Sequence, residues 1–442
     1  MGNEKDPNWI DASPTKEFFI EMLVKDIPLE RSIIDLVDNC VDGALRLRGS
    51  GSLEGLWVRI ELDEESFRIA DSCGGITVDL ARRYAFRFGR PEGMQSTLRS
   101  VGQFGVGMKR ALFKLGERFE VRSTTDSTTF VVVIDVNEWK KKEKDWEFGF
   151  QEYQEDLSEV PQDKRGTIIE VTSLHESVSE SFGLENFRTG LIQELQSAHT
   201  LNIEKGLSIT LNGIPLEIRP LALLQSNELE PAYREMTFNK VLPSTITVRM
   251  YAGVSESKPA DAGWYVFCNG RMVLEADQTI TTGWGEVGGR RIPKYHNQFA
   301  MFRGYAFFDS DHASLLPWNT TKTGVDTDSP RFRRVRLEMI ALMRPVIDFL
   351  NKVDAEKQGE GDRPLEAALG DAKSTKLSDV EGRKKFAGPK PAPSRRPPRT
   401  GRILYHRPYD QIERVKEHLK VHTNREVGEI TFDYYLEMEC DE

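Results

Sequence analysis

The spacing of apolar residues divides the first part of the chain into helices and strands. Between residues 15 and 47, apolar side chains recur every three or four positions, which predicts helices with one buried face. Two alternating stretches, at 57–62 and 67–71, are separated by a polar turn and predict a β-hairpin. A glycine-punctuated helical segment at 72–118 precedes three further predicted strands, RFEVRS, FVVVIDV and GTIIEVTSL. Helices followed by a run of strands predict a two-layer α/β sandwich up to about residue 175.

A second α/β unit is predicted beyond this point. A helix at about 183–200 precedes the hairpin LSITLNGIPLEI, identified by its Asn-Gly turn, and later strands lead to the long helix RFRRVRLEMIALMRPVIDFLNKV. We therefore expect one domain at 1–180 and a second at 181–354. Residues 355–402 are rich in proline, glycine and charged residues, which predicts a disordered linker. A small helical module is expected at 403–442.

Composition excludes several classes of protein. The chain has 442 residues, enough for two or three domains, and no apolar run long enough to cross a bilayer. Its first residues lack a basic stretch followed by an apolar core, so we expect a cytoplasmic protein without a membrane partner. The four cysteines lack the spacing of a disulfide framework or a zinc site. Because the formal net charge is −10, contact with nucleic acid would require a local basic patch.

The segment ERSIIDLVDNCVDGA, residues 30–44, combines a helical apolar pattern with clustered acceptors. Four acceptor side chains are three or four positions apart and so share one face of the helix; they are Asp35, Asp38, Asn39 and Asp42. Crowded acceptors need a positive partner, most simply Mg²⁺ with waters. The alternative is a solvated helix face.

Three later stretches carry weaker chemical signals. RIADSCGGI ends a strand at Asp71 and continues into Gly74 and Gly75, which suits a flat base that offers an exocyclic amine. SVGQFGVGMKRAL places glycines before a helix that contains Lys109, which predicts a phosphate-binding loop. Thr167 in GTIIEVTSL begins a strand and could share a water with Asp71. Taken singly, each stretch is also typical of ordinary turns and strands.

In their order and spacing, the four stretches resemble the GHKL ATPase superfamily of gyrase B subunits, heat-shock-protein-ninety chaperones, MutL proteins and sensor histidine kinases. The resemblance covers residues 15 to about 175 and implies a Bergerat-type α/β sandwich that binds ATP. WYVFCNGRMV and GYAFFDSDHASLLPWNTTKTGVD resemble the transducer domain of the gyrase, MutL and MORC branches, and the motifs look closest to bacterial MORC-like proteins. The histidine kinase branch is disfavoured because the first histidine, His175, lies downstream of the nucleotide domain.

The resemblance implies a role for each matching residue. Asn39 would bind Mg²⁺ on the triphosphate, Asp71 would accept a hydrogen bond from the adenine amine, and Thr167 would support Asp71 through a water. The phosphate loop would comprise Gly102, Gln103, Phe104, Gly105, Val106 and Gly107. The other nucleotide-binding positions of the matched motifs are Asp42, Gly75, Ile76 and Lys109. Residues 77–101 would form a mobile lid over bound ATP.

Two positions depart from the family pattern, and one later lysine matches it. The usual general base, a glutamate four residues before the asparagine, is replaced by Asp35, whose side chain is one methylene shorter. Asp35 is therefore the candidate base, with Glu30 as its alternative, and slow hydrolysis is expected. Cys73 replaces the first glycine of the usual Asp-x-Gly-x-Gly motif. Lys322 lies in the loop from which a transducer lysine reaches the γ-phosphate.

The expected function is Mg²⁺-dependent ATP binding with slow hydrolysis, which closes the lid and joins two chains into a homodimeric clamp. A basic tract at 383–402 offers a contact to DNA backbones, although a soluble proline-rich spacer is an equal interpretation. Two alternatives stay open. One is a non-hydrolysing, nucleotide-gated scaffold that recruits protein or DNA partners, and the other is a chaperone.

Overall fold

The computed structural model describes residues 14–49, 51–89, 100–101, 107–142, 145–238, 244–286, 292–319, 321–359, 362–380, 382–389, 401 and 403–440. These residues belong to two compact units, Met1–Lys390 and Pro391–Glu442. The first unit contains two large apolar cores and a smaller one. None of the helices described is long and apolar enough to cross a membrane.

An eight-stranded mixed sheet forms one layer of the first core. Its strands are β1 (Trp57–Leu62), β2 (Phe67–Asp71), β3 (Gly116–Thr124), β4 (Thr129–Asp135), β5 (Glu152–Gln154), β6 (Gly166–Leu174), β7 (Ser208–Leu211) and β8 (Ile214–Pro215). They lie in the order β5-β4-β3-β6-β2-β1-β7-β8, and every neighbouring pair is antiparallel except β1 and β7. The hairpin predicted from the alternating pattern is β1–β2, with Val58 opposite Asp71.

Helices pack on the face of this sheet that carries the buried alternate residues. They are α1 (Lys16–Val24), α2 (Leu29–Arg48), α3 (Val78–Leu80), α4 (Gly107–Leu115), α5 (Val136–Lys141), α6 (Glu176–Gly183) and α7 (Glu185–Glu204). α3 continues into a π-helical turn, Ala81–Ala85. In α2, Ile33, Val37 and Val41 recur at helical spacing and are fully buried in the core. Helices on one face of a sheet form a two-layer sandwich, so the predicted α/β class is confirmed.

The hairpin LSITLNGIPLEI joins the first sheet rather than the second domain. β7 pairs in parallel with β1, from Trp57 opposite Ser208 to Ile60 opposite Leu211. The first core accordingly extends to Leu216, and α7 packs against α2 within it. Apart from Val101, the residues of the second large core all follow residue 216, rather than residue 180. A local hairpin signal identifies two paired strands but does not indicate which sheet they extend.

A second sheet and a two-stranded ribbon make up the rest of the first unit. In the ribbon, β9 (Ala222–Gln225) pairs with a late strand described below. The sheet contains β10 (Ala232–Phe238), β11 (Ile246–Val254), β12 (Gly263–Cys268), β13 (Arg271–Asp277) and β14 (Phe302–Ser310), in the order β10-β11-β14-β12-β13. The long helix α8 (Pro330–Gln358) packs against β11 and β14. All residues of β12 are buried, so both faces of this sheet are covered.

The segment predicted as a disordered linker contains regular structure in its first part. It includes α9 (Pro364–Asp371) and β15 (Lys373–Lys376), and β15 is the ribbon partner of β9. Three apolar side chains, Leu365, Leu377 and Phe386, are buried in existing cores, and the Glu356 carboxylate accepts hydrogen bonds from the first turn of α9. A few anchoring residues therefore order a segment whose average composition predicts disorder. Residues 390–400 and 402 lie outside the described structure.

The second unit contains a small helical module, as predicted. Its helices are α10 (Tyr409–Leu419) and α11 (Asn424–Glu439), and neither contains a buried residue. A capping box begins α11: the Thr423 hydroxyl accepts from the Glu426 N–H, and the Glu426 carboxylate accepts from the Thr423 N–H.

Candidate functional site

Three of the four acceptor side chains on α2 are buried. The carboxylates of Asp35, Asp38 and Asp42 belong to residues at most 6% exposed, whereas Asn39 is exposed at the edge of the helix. A solvated helix face is therefore the wrong interpretation for the three aspartates. Buried carboxylates stay charged only when cations or hydrogen-bond donors stabilise them, so each aspartate requires a partner.

Asp35 accepts from two cationic side chains. Arg110 of α4 donates to Oδ2 at 2.5 Å, and Lys322 donates from Nζ to Oδ1 at 3.1 Å. The start of α4 approaches the same carboxylate, because a Cβ built on Gly107 would lie 3.5 Å from Asp35 Oδ2. The structure thus brings together three residues that the sequence motifs predict at one site: Asp35, Gly107 and Lys322.

Asp38 is the most deeply buried carboxylate of this cluster, at 1% exposure. Lys322 Nζ donates to its Oδ2 at 2.6 Å, and Arg271 Nε donates to its Oδ1 at 3.0 Å. Burial alone would raise the pKa of Asp38, but the charges of Lys322 and Arg271 outweigh burial and hold the pKa below its usual range. Asp38 is therefore ionised at neutral pH. Its partners are Arg271, on the second sheet, and Lys322, in the loop before α8.

His199 lies beside this ion cluster without adding charge to it. Its Nε2 is 3.5 Å from Asp38 Oδ1, and the residue is completely buried at a kink in α7. Burial lowers the pKa of His199 to about 3, although Asp38 opposes this shift. The imidazole is accordingly neutral at pH 7.

Asp42 contacts the chain that leads into the glycine-rich segment. The Val101 N–H donates to Asp42 Oδ1 at 2.6 Å, and the Val101 side chain is fully buried in the second core. The preceding Ser100 carbonyl accepts from Asn269 Nδ2 at 3.4 Å. Asp42 therefore fixes the end of the predicted lid to α2.

The predicted phosphate loop is largely outside the described residues, as is the central part of the predicted lid, residues 90–99. The loop positions concerned are Gly102, Gln103, Phe104, Gly105 and Val106. Gly107 is the first residue of α4. Lys109, two residues later, is buried and donates to the Ala85 carbonyl at 3.0 Å, and burial lowers the pKa of Lys109 to about 8. Its ammonium group thus joins α4 to the π-helical turn that follows α3.

Asp71 occupies the end of β2, on the first sheet. The Cys73 N–H donates to Asp71 Oδ1 at 2.6 Å. Burial raises the pKa of Asp71 to about 6, and the hydrogen bonds that this carboxylate accepts oppose the shift only in part. Asp71 is thus a buried acceptor that is mostly ionised at pH 7 and becomes protonated just below it.

Two glycines allow the backbone to approach closely around Asp71. A Cβ built on Gly166 would lie 1.8 Å from the Asp71 carbonyl oxygen, and one on Gly75, which has φ of +73°, would lie 2.3 Å from the Thr124 carbonyl oxygen. The neighbouring hydroxyls form a short network. Ser123 Oγ accepts from the Ile76 N–H at 2.7 Å and lies 3.0 Å from Thr167 Oγ1.

The two candidate bases lie apart on α2. Glu30 is in the first turn of the helix, and Asp35 is about 7.5 Å further along the helix axis. Within the described ranges, no group of three or more His, Cys, Asp or Glu side chains is arranged to hold a metal ion.

Comparison with known proteins finds a similarity in the N-terminal part of the chain. Residues 27–167 match the family model described as histidine kinase-, DNA gyrase B-, and HSP90-like ATPase. This segment is similar to GHKL-type ATPase domains. No curated protein matches the chain. The matched segment contains α2, Asp71 and α4, whereas Lys322 and Arg271 lie outside it.

The matched segment and its neighbours contribute two groups of residues to the candidate site. At the end of β2, Asp71 is a buried acceptor beside backbone without side chains at Gly74 and Gly75. At the start of α4, three cationic side chains meet two carboxylates; they are Lys322, Arg110, Arg271, Asp35 and Asp38. Because His199 is neutral, these five side chains together carry one net positive charge.

Two members of this cluster were not predicted from the GHKL-type motifs. Arg271 follows the Asn-Gly turn after β12, and Arg110 follows Lys109 in α4. The available signal was weak: a single arginine in FCNGRMVL interrupts an otherwise apolar run, and such a residue is buried only when paired. Its partner, Asp38, is too distant in sequence to be inferred from local pattern.

Proposed function

We propose that this chain binds ATP with Mg²⁺ at the GHKL-type segment and hydrolyses it slowly. One observation carries the proposal. Asp35, the start of α4 at Gly107, and Lys322 lie together in a buried cluster with one cation in excess. A terminal phosphate at this position would be next to the candidate base, the helix N-terminus and the surplus charge.

In this proposal, different elements bind the two ends of the nucleotide. Asp71 accepts from the adenine amine, with Thr167 linked to it through a water, and the 102–107 loop surrounds the phosphates. The exposed amide of Asn39 supplies an oxygen ligand for Mg²⁺. When bound, Mg²⁺ neutralises charge on the phosphate oxygens. Lys322 contacts the terminal phosphate, and Asp42 and Lys109 position the segments on either side of the loop.

Asp35 is the proposed general base for the attacking water. Both of its carboxylate oxygens already accept from cations, Lys322 and Arg110. Each carboxylate oxygen has two lone pairs, so an attacking water can share an oxygen with one of these cations. Because the side chain of aspartate is one methylene shorter than that of glutamate, we expect slow turnover, with Glu30 as the alternative base.

Phosphate release and calorimetry under excess Mg²⁺ test these roles. Asp35→Asn should bind ATP but release phosphate at least about a hundredfold more slowly than wild type, since a positioned base contributes at least that factor. Asn39→Ala should lose Mg²⁺-dependent binding. Glu30→Gln is the matched control, and a loss of rate in this variant alone would assign the base to Glu30. A wild-type protein that binds no ATP would overturn the whole proposal.

One observation favours the alternative of a non-hydrolysing, nucleotide-gated scaffold. The two ion pairs of Asp35 also suit a residue whose role is only to hold Lys322 in place. ATP binding without phosphate release in wild type would support the scaffold. A chaperone function stays a prediction, and suppression of client aggregation with no response to DNA would support it.

The proposal has three extensions. ATP binding joins two chains into a homodimer, and the basic tract contacts DNA. The chain is also most closely related to bacterial MORC-like proteins and has their transducer domain. In the described part of the 383–402 tract, Arg383 pairs with Glu230, while Lys384 and Lys385 are exposed. We expect a non-hydrolysable ATP analogue to double the mass in solution. Duplex DNA should stimulate phosphate release, less so after Lys384→Ala and Lys385→Ala.

A further inference from the structure

Lys322 bridges two buried carboxylates unequally. Its Nζ lies 2.6 Å from Asp38 Oδ2 and 3.1 Å from Asp35 Oδ1, and the residue is 5% exposed. The loop that presents it is constrained, because Lys322 has φ of +54°, a conformation that lysine rarely adopts. Its N–H donates to the Asn319 carbonyl at 3.1 Å. The ammonium group is thus delivered to the two acids by a defined loop conformation.

Each carboxylate has a second cation that is fixed independently of Lys322. Asp35 has Arg110 on α4, and Asp38 has Arg271 on β13. Arg271 is itself held in place, since its Nη1 donates to the Met272 carbonyl at 2.8 Å. The turn before it is also fixed, because the Asn269 side chain exchanges hydrogen bonds with the backbone of Ser310 on β14.

This arrangement determines what happens if Lys322 leaves the cluster. Asp35 keeps Arg110 and Asp38 keeps Arg271, so neither buried carboxylate loses its last cation. Removing the only partner of a buried charge is strongly unfavourable, but here the departing cation is the surplus one. Of the three cations, Lys322 is also the one on a loop, whereas Arg110 and Arg271 belong to a helix and a strand.

We propose that Arg271 is a positioning residue that neutralises Asp38 and thereby releases Lys322 to the terminal phosphate of the bound nucleotide. This inference rests on the proposed function of the site as an ATP site. Without Arg271, Asp38 would depend on Lys322 alone, and Lys322 would be retained by Asp38 instead of moving to the phosphate. The loss would affect triphosphate ligands and spare diphosphate ligands, which lack the third phosphate.

The test compares affinities for ADP and for a non-hydrolysable ATP analogue, by calorimetry with Mg²⁺. In Arg271→Met, affinity for the triphosphate analogue should fall about tenfold or more, while affinity for ADP changes less than about threefold. Phosphate release should slow in parallel. Arg271→Lys keeps a cation at this position and should restore most of the triphosphate affinity.

Arg303→Met is the matched control. Arg303 is also an arginine of the second sheet, 4% exposed, and it donates to the backbone carbonyls of Ala300 and Phe302 away from the cluster. This control should lower thermal stability without changing the ratio of the two affinities. If Arg271→Met unfolds at the assay temperature, Arg271→Gln provides the same comparison, because it keeps a donor and removes the charge.

The outcomes separate this inference from the proposed function. Arg271 would have a merely structural role if Arg271→Met lost affinity equally for ADP and for the triphosphate analogue. The same would follow if Arg303→Met changed the ratio of these two affinities as much as Arg271→Met does. An unchanged ratio in both arginine variants, with normal binding in wild type, would overturn the role of Arg271 alone. If wild type binds neither nucleotide, the proposed function and this inference both fail.

Discussion

Lys322 and Asp35 are 287 positions apart in the sequence, yet an ion pair of 3.1 Å joins Nζ of one to Oδ1 of the other. The lysine comes from the loop before α8, which packs on the second sheet, and the aspartate from α2, which packs on the first. The candidate site is therefore built from both sheets of the first unit. A change at Asp35 therefore acts directly on the loop that carries Lys322.

Lys322→Met should lower the free energy of unfolding less than Arg271→Met does. In Lys322→Met, both aspartates retain an arginine, so we expect the free energy of unfolding to fall by about 1 kcal/mol. Arg271→Met leaves Asp38 with Lys322 alone and removes the more deeply buried of its two ion pairs, and we expect a loss of about 3 kcal/mol. Urea denaturation measures both changes, and the opposite ranking would contradict the assignment of Lys322 as the surplus cation.

Asp71→Asn should stabilise the folded protein at alkaline pH. The pKa of Asp71 is raised to about 6, so its contribution to stability is fully present below the unfolded pKa near 4 and is lost as the pH rises through about 6. At pH 8 the variant should therefore gain up to about 3 kcal/mol relative to wild type, and at pH 4 the gain should vanish. Thermal melts across this pH range provide the measurement. A gain that does not vary with pH would point to a different cause.

Nucleotide affinity should show the opposite dependence on the same carboxyl group. An adenine amine donates best to an ionised acceptor, so affinity should be constant above about pH 7 and fall below about pH 6 as Asp71 becomes protonated. Calorimetric titrations with an ATP analogue at pH 5 to 8 test this expectation. In Asp71→Asn, binding should be weak at every pH, and a persistent decline near pH 6 would assign the titration to another group.

Gly166→Ala should displace β2 from β6. The added methyl group would meet the Asp71 carbonyl oxygen at 1.8 Å, and neither backbone segment can move without breaking pairs of the first sheet. We expect a loss of at least about 3 kcal/mol in the free energy of unfolding and weaker nucleotide binding. Gly190→Ala is the control, since a Cβ there meets nothing within 4 Å in the helix α7, and it should stabilise by up to about 1 kcal/mol.

Local pattern was sufficient for elements whose partners are close in sequence. The β1–β2 hairpin follows from alternation of apolar residues, and the buried face of α2 follows from helical spacing. The parallel pairing of β7 with β1 could not be predicted in this way, because about 150 residues separate the strands and each strand alone has the same alternating pattern.

The sequence predicts that the acidic side chains of α2 have positive partners, but it does not identify all of those partners. Crowded acceptors on α2 require positive partners, and Mg²⁺ was the simplest candidate from the sequence. In the described structure the partners of Asp35 and Asp38 are side chains, Lys322, Arg110 and Arg271. Lys322 was expected at a phosphate, but its pairing with the acids depends on distances between elements, which no spacing in the chain encodes.

The parallel pairing of β7 with β1 determines which fragments of this protein can be produced in isolation. A fragment that ended at residue 180, or at the limit of the family match at residue 167, would lack β7 and leave the hydrogen-bonding groups of β1 unpaired along one side. Open strand edges pair with one another between molecules, so such a fragment would aggregate during expression. A fragment that extends to Leu216 keeps β1 covered, but it lacks Arg271 and Lys322 and so leaves the buried Asp38 without a cation. The whole first unit is therefore the piece suited to crystallisation or spectroscopy.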